Sequence, residues 1–174
     1  LRMLLPAGLL GVLVGALLFG VLPGKTVAGI VGALTLLFLA QRLLFPPPAN
    51  SPPTPRWVGF SLATASGFTS FVAHAGSPPL SVYLLPMRMK PIVYAGTAAI
   101  FFTAINLAKW VPYAVLGLFD RANLATSVLL MPLAPLGVWI GVWLARRIEP
   151  RWFYAVAYTG MFATGAKLLW DGLR

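Results

Sequence analysis

The residues best suited to chemistry lie where an apolar stretch is interrupted. Residues 57–73 are apolar, and the run HAGSPP at positions 74–79 then breaks the stretch. Serine is a good helix N-cap, and proline is favoured in the first turn of a helix. The break therefore predicts a half-helix from Pro79 to Leu85, capped by Ser77, and its free N–H groups and positive dipole end would favour an anion. A proline kink in a continuous helix is the alternative, but two adjacent prolines after Gly-Ser favour the break.

A second set of polar residues lies inside the next apolar stretch, at positions 92–118. It contains Thr97, Asn106 and Lys109. An ionisable residue inside a membrane-spanning segment is energetically expensive, which makes Lys109 a functional candidate. Asn106 precedes Lys109 by three residues, and this spacing predicts that they share a helix face. Lys109 could instead snorkel to the membrane interface, and the shared polar face favours function.

The single histidine and the three carboxylates limit the other chemistry that the chain offers. His74 has no cysteine or second histidine to share a metal with, so we expect no metal site and no cofactor. It could donate to an anion, relay a proton or bond a neighbouring carbonyl group. Asp120, Glu149 and Asp171 all lie at the ends of apolar stretches. Without a carboxylate at membrane depth, the acidic relays of many ion-coupled transporters are missing, and we do not expect an enzyme.

The composition indicates which solvent surrounds these residues. Hydrophobic residues make up 59% of the 174 residues and charged residues only 9%, whereas a soluble domain carries roughly a quarter charged residues. We therefore expect an all-α, polytopic helical bundle with the lipid bilayer as its partner. The basic residues lie mostly at the ends of apolar stretches, which is typical of membrane proteins and argues against nucleic-acid binding. The six apolar stretches are 4–22, 27–45, 57–86, 92–118, 124–144 and 152–169.

The spacing of proline and glycine indicates an internal repeat with an offset of 126 residues (132 − 6). The matching pairs are Pro6 and Pro132, Gly11 and Gly137, Gly15 and Gly141, Leu18 and Leu144, Ala40 and Ala166, and Leu43 and Leu169. Because the first stretch has this copy, we interpret it as part of the fold rather than as a signal peptide. A chance match of apolar helices is the alternative, and the preserved P-x4-G-x3-G spacing favours a repeat.

The repeat predicts how the chain is organised. We expect residues 1–45 to close a first repeat with two membrane helices, and residues 46–56 to form a Pro-rich linker. Residues 57–174 would then form a complete second repeat, made of the broken segment 57–86 and three further membrane helices. On this interpretation the chain is incomplete at its N-terminus, since the opening of the first repeat is missing.

The basic residues also test the membrane topology. If all six stretches cross the membrane, the basic residues at their ends divide five against six. If 57–86 enters and leaves on the same side, they divide eight against three, which is the asymmetry expected of a cytoplasmic face. We therefore expect a re-entrant segment at 57–86 and inverted repeats, as in many secondary transporters. The larger group is Arg2, Arg42, Arg56, Arg88, Lys90, Arg146, Arg147 and Arg151, and the smaller group is Lys25, Arg121 and Arg174.

Three motifs, taken in order, resemble those of a known family. They are GFTSFVAHAGSPPLSVYLLP at 67–86, GTAAIFFTAINLAKWVPY at 96–113 and LLMPLAPLGVWIGVWLARRI at 129–148. Together they resemble the second half of the TauE/SafE-type sulfite exporter family of bacterial membrane proteins. The resemblance implies an eight-segment permease of two related halves that exports sulfite, sulfonate-derived anions or organic acids. The chain departs from the family in lacking the glycine-rich opening half-repeat, and in having Gly76-Ser77-Pro78 where Gly-Gly-Pro is common.

Residues and resemblance together predict a secondary transporter of the bacterial inner membrane that carries a small anion by alternating access. The expected binding residues are the half-helix start, the lysine and three hydrogen-bonding side chains: Ser77, Pro78, Pro79, Lys109, His74, Thr97 and Asn106. The alternative is a non-transporting membrane scaffold or subunit. A buried Lys109 that water can reach would favour the transporter, and one that snorkels to the lipid interface would favour the scaffold. The sequence leaves a homo-oligomer open.

Overall fold

The computed structural model describes residues 1–19, 21, 23–45, 55–117 and 127–174, and these residues form helices without a β-strand. The all-α prediction is therefore confirmed. Most of the predicted linker 46–56 and the predicted turn around Asp120 lie outside the described residues. The main helices are α1 (Leu4–Leu17), α2 (Gly24–Leu44), α3 (Arg56–Ala73), α4 (Ser77–Leu84), α5 (Pro91–Val115), α6 (Leu133–Arg147) and α7 (Pro150–Leu173), with a 3-10 turn at Leu85–Met87.

Two of the described helices are long and apolar enough to cross a membrane, judged by length and composition. These are α2, with 21 residues, and α5, with 25. A hydrocarbon core of about 30 Å needs about 20 apolar residues in a helix. A shorter apolar helix, α1, precedes them.

Glycines bring the backbones of α1 and α3 into contact. A Cβ atom added at Gly11 would overlap the carbonyl oxygen of Thr64, and one added at Gly67 would overlap that of Gly8. Further along both helices, Gly15 lies against Phe71. Moving from Gly11 to Gly15 along α1, the contact on α3 moves from Thr64 to Phe71. Helices α1 and α3 therefore run parallel. The glycines thus allow the close helix packing that small residues give in membranes.

Replacing Gly11 with alanine should destabilise the protein, whereas the same change at Gly137 should not. The added methyl group at Gly11 meets the α3 backbone, and such overpacking costs about 1–3 kcal/mol. At Gly137, the matching position of the proposed repeat, no described atom lies within 4 Å of an added Cβ. Thermal unfolding in detergent measures both variants. Equal unfolding temperatures would contradict the close contact between α1 and α3.

The third apolar stretch is broken, as the sequence predicts, and α4 folds back along α3. The two helices are separated by residues 74–76. Helix α4 begins at Ser77, two residues before the predicted start, so that Gly76 and not Ser77 is its N-cap. Beyond the break, the ring of Tyr83 near the end of α4 lies against Gly59 near the start of α3. The Ser66 hydroxyl donates a hydrogen bond of 2.6 Å to the carbonyl oxygen of Gly76. Helices α3 and α4 therefore form an antiparallel hairpin, and the chain leaves α4 at the end of the bundle where α3 begins.

Helices α2 and α7 pack against each other in opposite directions. A Cβ at Gly29 would lie 3.2 Å from Cα of Gly172, and one at Gly165 would lie 3.1 Å from Cγ2 of Thr35. Leu39 and Met161 belong to one buried cluster further along. The C-terminal end of α2 therefore lies beside the N-terminal end of α7.

Candidate anion site

Hydrogen bonds from α3 hold the break between α3 and α4. The hydroxyl of Thr69 donates to the carbonyl oxygen of Ala75 at 3.0 Å, and that of Ser66 donates to Gly76. The N–H of Ala75 donates back to the carbonyl oxygen of Thr69 at 3.1 Å. A buried backbone group without a partner is costly, so these side chains stabilise an interruption that an apolar environment would otherwise oppose. The sequence analysis did not assign this role to Ser66 or Thr69.

Lys109 is buried and bound to the last turn of α3. Its side chain is 4% exposed, and its Nζ donates to the carbonyl oxygen and to the Oγ of Ser70, each at 2.6 Å. The C-terminal end of a helix carries a partial negative charge that favours a cation. Lys109 therefore stays inside the bundle and does not snorkel to an interface.

Ser70 also connects Lys109 to the start of α4. A Cβ at Gly76 would lie 2.6 Å from Cβ of Ser70, so the residue before α4 is in direct contact with the serine that holds the ammonium group. One turn further along α5, the hydroxyl of Tyr113 donates to the carbonyl oxygen of Phe71 at 3.2 Å. The break thus has the amino group of Lys109 on one side and the first turn of α4 on the other.

The first turn of α4 opens on a cavity of about 460 Å³ between α4, α5, α6 and α7. Its volume falls within the range of small-molecule sites, roughly 300–1,000 Å³. Its polar lining includes hydroxyl groups, and no charged residue lines it among the described residues. The hydroxyls of Ser81 and Tyr94 are 3.0 Å apart and form a hydrogen bond. The hydroxyl-bearing residues of the lining are Ser77, Ser81, Tyr94 and Thr164.

The structure divides the binding residues expected from the sequence into separate groups. Ser77 and Pro78 line this cavity, whereas Pro79 lines a second, apolar cavity of about 500 Å³ between α2, α3 and α4. Lys109 lines neither of these two cavities in this conformation, since its ammonium group is bound to Ser70. Sequence reasoning missed Tyr94, which lies 13 residues from its partner Ser81, so no local spacing indicated it.

The remaining three expected residues lie outside the lining of the Ser77 cavity. His74 is exposed and adopts the left-handed conformation, with a φ of 51°, at the C-terminal end of α3. Its ring meets that of Tyr113 edge-on, with the centroids 6.4 Å apart. Thr97 is half-buried, and Asn106 is exposed although Lys109 is buried one turn later. The two α5 side chains therefore do not share a buried face, because only the face of Lys109 is turned toward α3.

A broken apolar helix whose second half begins at a cavity is a construction typical of membrane transport proteins. The family model described as sulfite exporter TauE/SafE matches residues 1–168, and the chain belongs to this family. The resemblance seen in the motifs is thereby confirmed, and the protein is a member of a family of membrane transporters. Comparisons with curated proteins and with solved structures gave no match.

Proposed function

We propose that this chain transports a small anion, such as sulfite, a sulfonate or an organic acid, across the bacterial inner membrane, in the direction of export. The observation that carries the proposal is the first turn of α4, which opens on a mostly apolar cavity with four hydroxyl-bearing residues and, among the described residues, no carboxylate in its lining. In the first turn of α4, Ser77 and Leu80 carry an N–H, since the two prolines between them have none, and N–H groups at a helix start bind anions well. The ammonium group of Lys109 lies across Ser70 from this turn and would balance the negative charge of the anion. Lys109 is buried and does not snorkel to an interface, so the position that would have favoured the scaffold is not the one it takes.

In this proposal the helices give five crossings and one re-entrant hairpin. Helices α2 and α3 run in opposite directions, since a Cβ at Gly24 would lie 3.2 Å from the carbonyl oxygen of Val72 near the end of α3. Because α7 also runs opposite to α2, the helix ends that carry Arg42, Arg56 and Arg151 lie at one end of the bundle. The hydroxyl of Tyr154 donates to the carbonyl oxygen of Met89 at 2.7 Å, so the turn after α4 lies there as well. This arrangement agrees with the eight-against-three division of basic residues and would place that end in the cytoplasm.

Single cysteines in place of Arg56 and Arg88 should be labelled from the same side of the membrane. The chain contains no cysteine of its own, so each variant carries one reactive thiol. A membrane-impermeant maleimide, applied to right-side-out and inside-out vesicles, distinguishes the two faces. Labelling of the two positions from opposite faces would refute the re-entrant hairpin and leave six crossings.

The linings of the two cavities support inverted repeats, with residues 1–45 in the first repeat and 57–174 in the second. Helix α7 begins 126 residues after α2 (150 − 24), the same offset as in the motifs. At this offset, the six α7 residues that line the Ser77 cavity correspond to six α2 residues that line the apolar cavity. The α7 residues are Phe153, Val156, Ala157, Gly160, Met161 and Thr164, and the α2 residues are Val27, Ile30, Val31, Leu34, Thr35 and Phe38.

The position of α4 between these two related faces suggests how access alternates. Ser77 and Pro78 line the cavity on the α7 side, and Pro79 and Val82 line the cavity on the α2 side. In the proposed cycle, a shift of the α3–α4 hairpin between α2 and α7 moves the anion-binding turn from one cavity to the other. His74, Thr97 and Asn106 would contact the anion in other conformations of this cycle.

Flux measurements in proteoliposomes test the function directly. Vesicles with the protein should release sulfite and methanesulfonate faster than protein-free vesicles do. They should not release tetramethylammonium, a cation that an anion site excludes. If neither anion moves faster with the protein present, the chain is not a transporter for this class of solute, and the scaffold interpretation takes its place.

A further inference from the structure

The ammonium group of Lys109 has no anionic partner in the described part of the chain. Both of its hydrogen-bond acceptors are neutral oxygens of one residue, Ser70. Helix α1 carries no titratable side chain. The titratable groups nearest to the lysine are His74, at the end of α3, and Tyr113, one turn further along α5. The carboxylate side chains among the described residues lie elsewhere, since the exposed Glu149 is paired with Arg151 and the half-buried Asp171 with Lys167.

A buried cation without a counter-ion is unfavourable unless an anion approaches or the group loses its proton. The proposed anion site begins at the residue after Gly76, which is in contact with Ser70. An anion there stabilises the ammonium form of Lys109, and its departure favours the neutral amine. Thermodynamic linkage makes the effect reciprocal, because the proton on Lys109 must strengthen anion binding by the same factor.

His74 is placed to exchange protons with water. It holds the left-handed conformation that glycine adopts at lower cost, yet the chain has an imidazole there. The side chain is exposed, whereas Lys109 is buried. The ring of His74 meets that of Tyr113, which follows Lys109 by one helical turn. Imidazole is the side chain that most readily gains and loses a proton near neutral pH.

We propose that the protein binds a proton together with its anion, with Lys109 as the proton acceptor and His74 as the donor. The inference rests on the proposed function and adds the coupling ion to it. A water-derived proton moves to the neutral imidazole of His74. The resulting imidazolium then transfers a proton to the neutral amine of Lys109 as the anion enters. On release, the ammonium group returns its proton through His74 to water, so the anion and the proton cross together.

Calorimetry on the full chain in nanodiscs tests this coupling without requiring transport. The probe is methanesulfonate, which does not titrate near neutral pH, so any proton taken up must bind the protein. The binding enthalpy is measured from neutral to mildly alkaline pH in two buffers that differ in ionisation enthalpy. A buffer-dependent enthalpy corresponding to uptake of up to one proton per anion is expected. The Lys109→Gln variant should lose this uptake, and the Lys167→Gln control, which changes an exposed lysine, should keep it.

The rate of proton uptake tests the part of His74. In stopped-flow mixing with a pH indicator, the His74→Gln variant should take up the proton about a hundredfold more slowly, since general acid catalysis contributes at least about this factor. An unchanged rate would remove His74 from the pathway. Methanesulfonate binding without proton uptake in the native chain, or uptake retained in Lys109→Gln, would overturn the coupling and leave the proposed function standing. If neither methanesulfonate nor sulfite binds at all, the proposed function fails, and the coupling fails with it.

Discussion

Replacing Lys109 with glutamine should weaken the binding of a small anion by about tenfold to a hundredfold. Two unit charges about 8 Å apart interact by about 2 kcal/mol at an effective dielectric constant of about 20, and about 1.4 kcal/mol corresponds to a factor of ten in affinity. Glutamine has a similar length and can still donate an N–H to Ser70, so the last turn of α3 keeps one of its partners. What the variant loses is the charge that offsets the desolvation of the anion. Methanesulfonate affinity by calorimetry measures the effect.

Two controls separate the charge of Lys109 from its contact with Ser70. Lys109→Arg keeps the charge with a different geometry and should retain part of the affinity. Thermal unfolding of each variant shows whether the contact with Ser70 has been lost. If Lys109→Gln unfolds at a lower temperature but binds the anion normally, the role of Lys109 is to stabilise the last turn of α3. The anion is then bound by α4 alone.

The break between α3 and α4 could be predicted from the sequence because its signals are local. Ser77, Pro78 and Pro79 carry the information for a helix start within three consecutive positions. The path of α4 back along α3 followed from a global property, the distribution of basic residues. These features depend on residue type and position along the chain, so they do not require knowledge of tertiary contacts.

The partners of Lys109 could not be predicted, because they depend on which face of an apolar helix is turned inward. Lys109 and Ser70 lie 39 residues apart. Helix α5 is apolar around most of its circumference, as expected for a helix surrounded by lipid and protein. The spacing of Asn106 and Lys109 predicted that they share one helix face. In the structure, packing against α3 buries Lys109 and leaves Asn106 exposed.

The glycine motifs also show that a sequence pattern does not predict which helix packs against which. Gly11 and Gly137 occupy matching positions in the repeated spacing, yet Gly11 touches the α3 backbone and Gly137 has no described neighbour within 4 Å of an added Cβ. A spacing of small residues indicates that another helix can approach closely. Whether a helix does pack against these glycines depends on how all the helices are arranged.

Replacing Gly76 with alanine should both destabilise the hairpin and abolish anion binding at α4. A methyl group at this position would lie 2.6 Å from Cβ of Ser70 and 2.8 Å from the carbonyl oxygen of Ser66. Since Ser66 also donates to the carbonyl oxygen of Gly76, α4 cannot move away without breaking that bond. Overpacking costs about 1–3 kcal/mol, and the lost hydrogen bond adds about 1 kcal/mol.

Anion binding should be lost together with the packing, because the added methyl group pushes α4 away from Ser66 and Ser70, which hold its first turn in place. Gly96→Ala is the matched control, since this glycine lies within α5 and no described atom is within 4 Å of an added Cβ. The control should bind methanesulfonate like the native chain and unfold at an equal or slightly higher temperature, because alanine favours a helix over glycine by about 0.8–1.0 kcal/mol. If Gly76→Ala has the unfolding temperature and the methanesulfonate affinity of the native chain, Ser66 and Ser70 do not fix the first turn of α4. The anion site would then not depend on the position of α4.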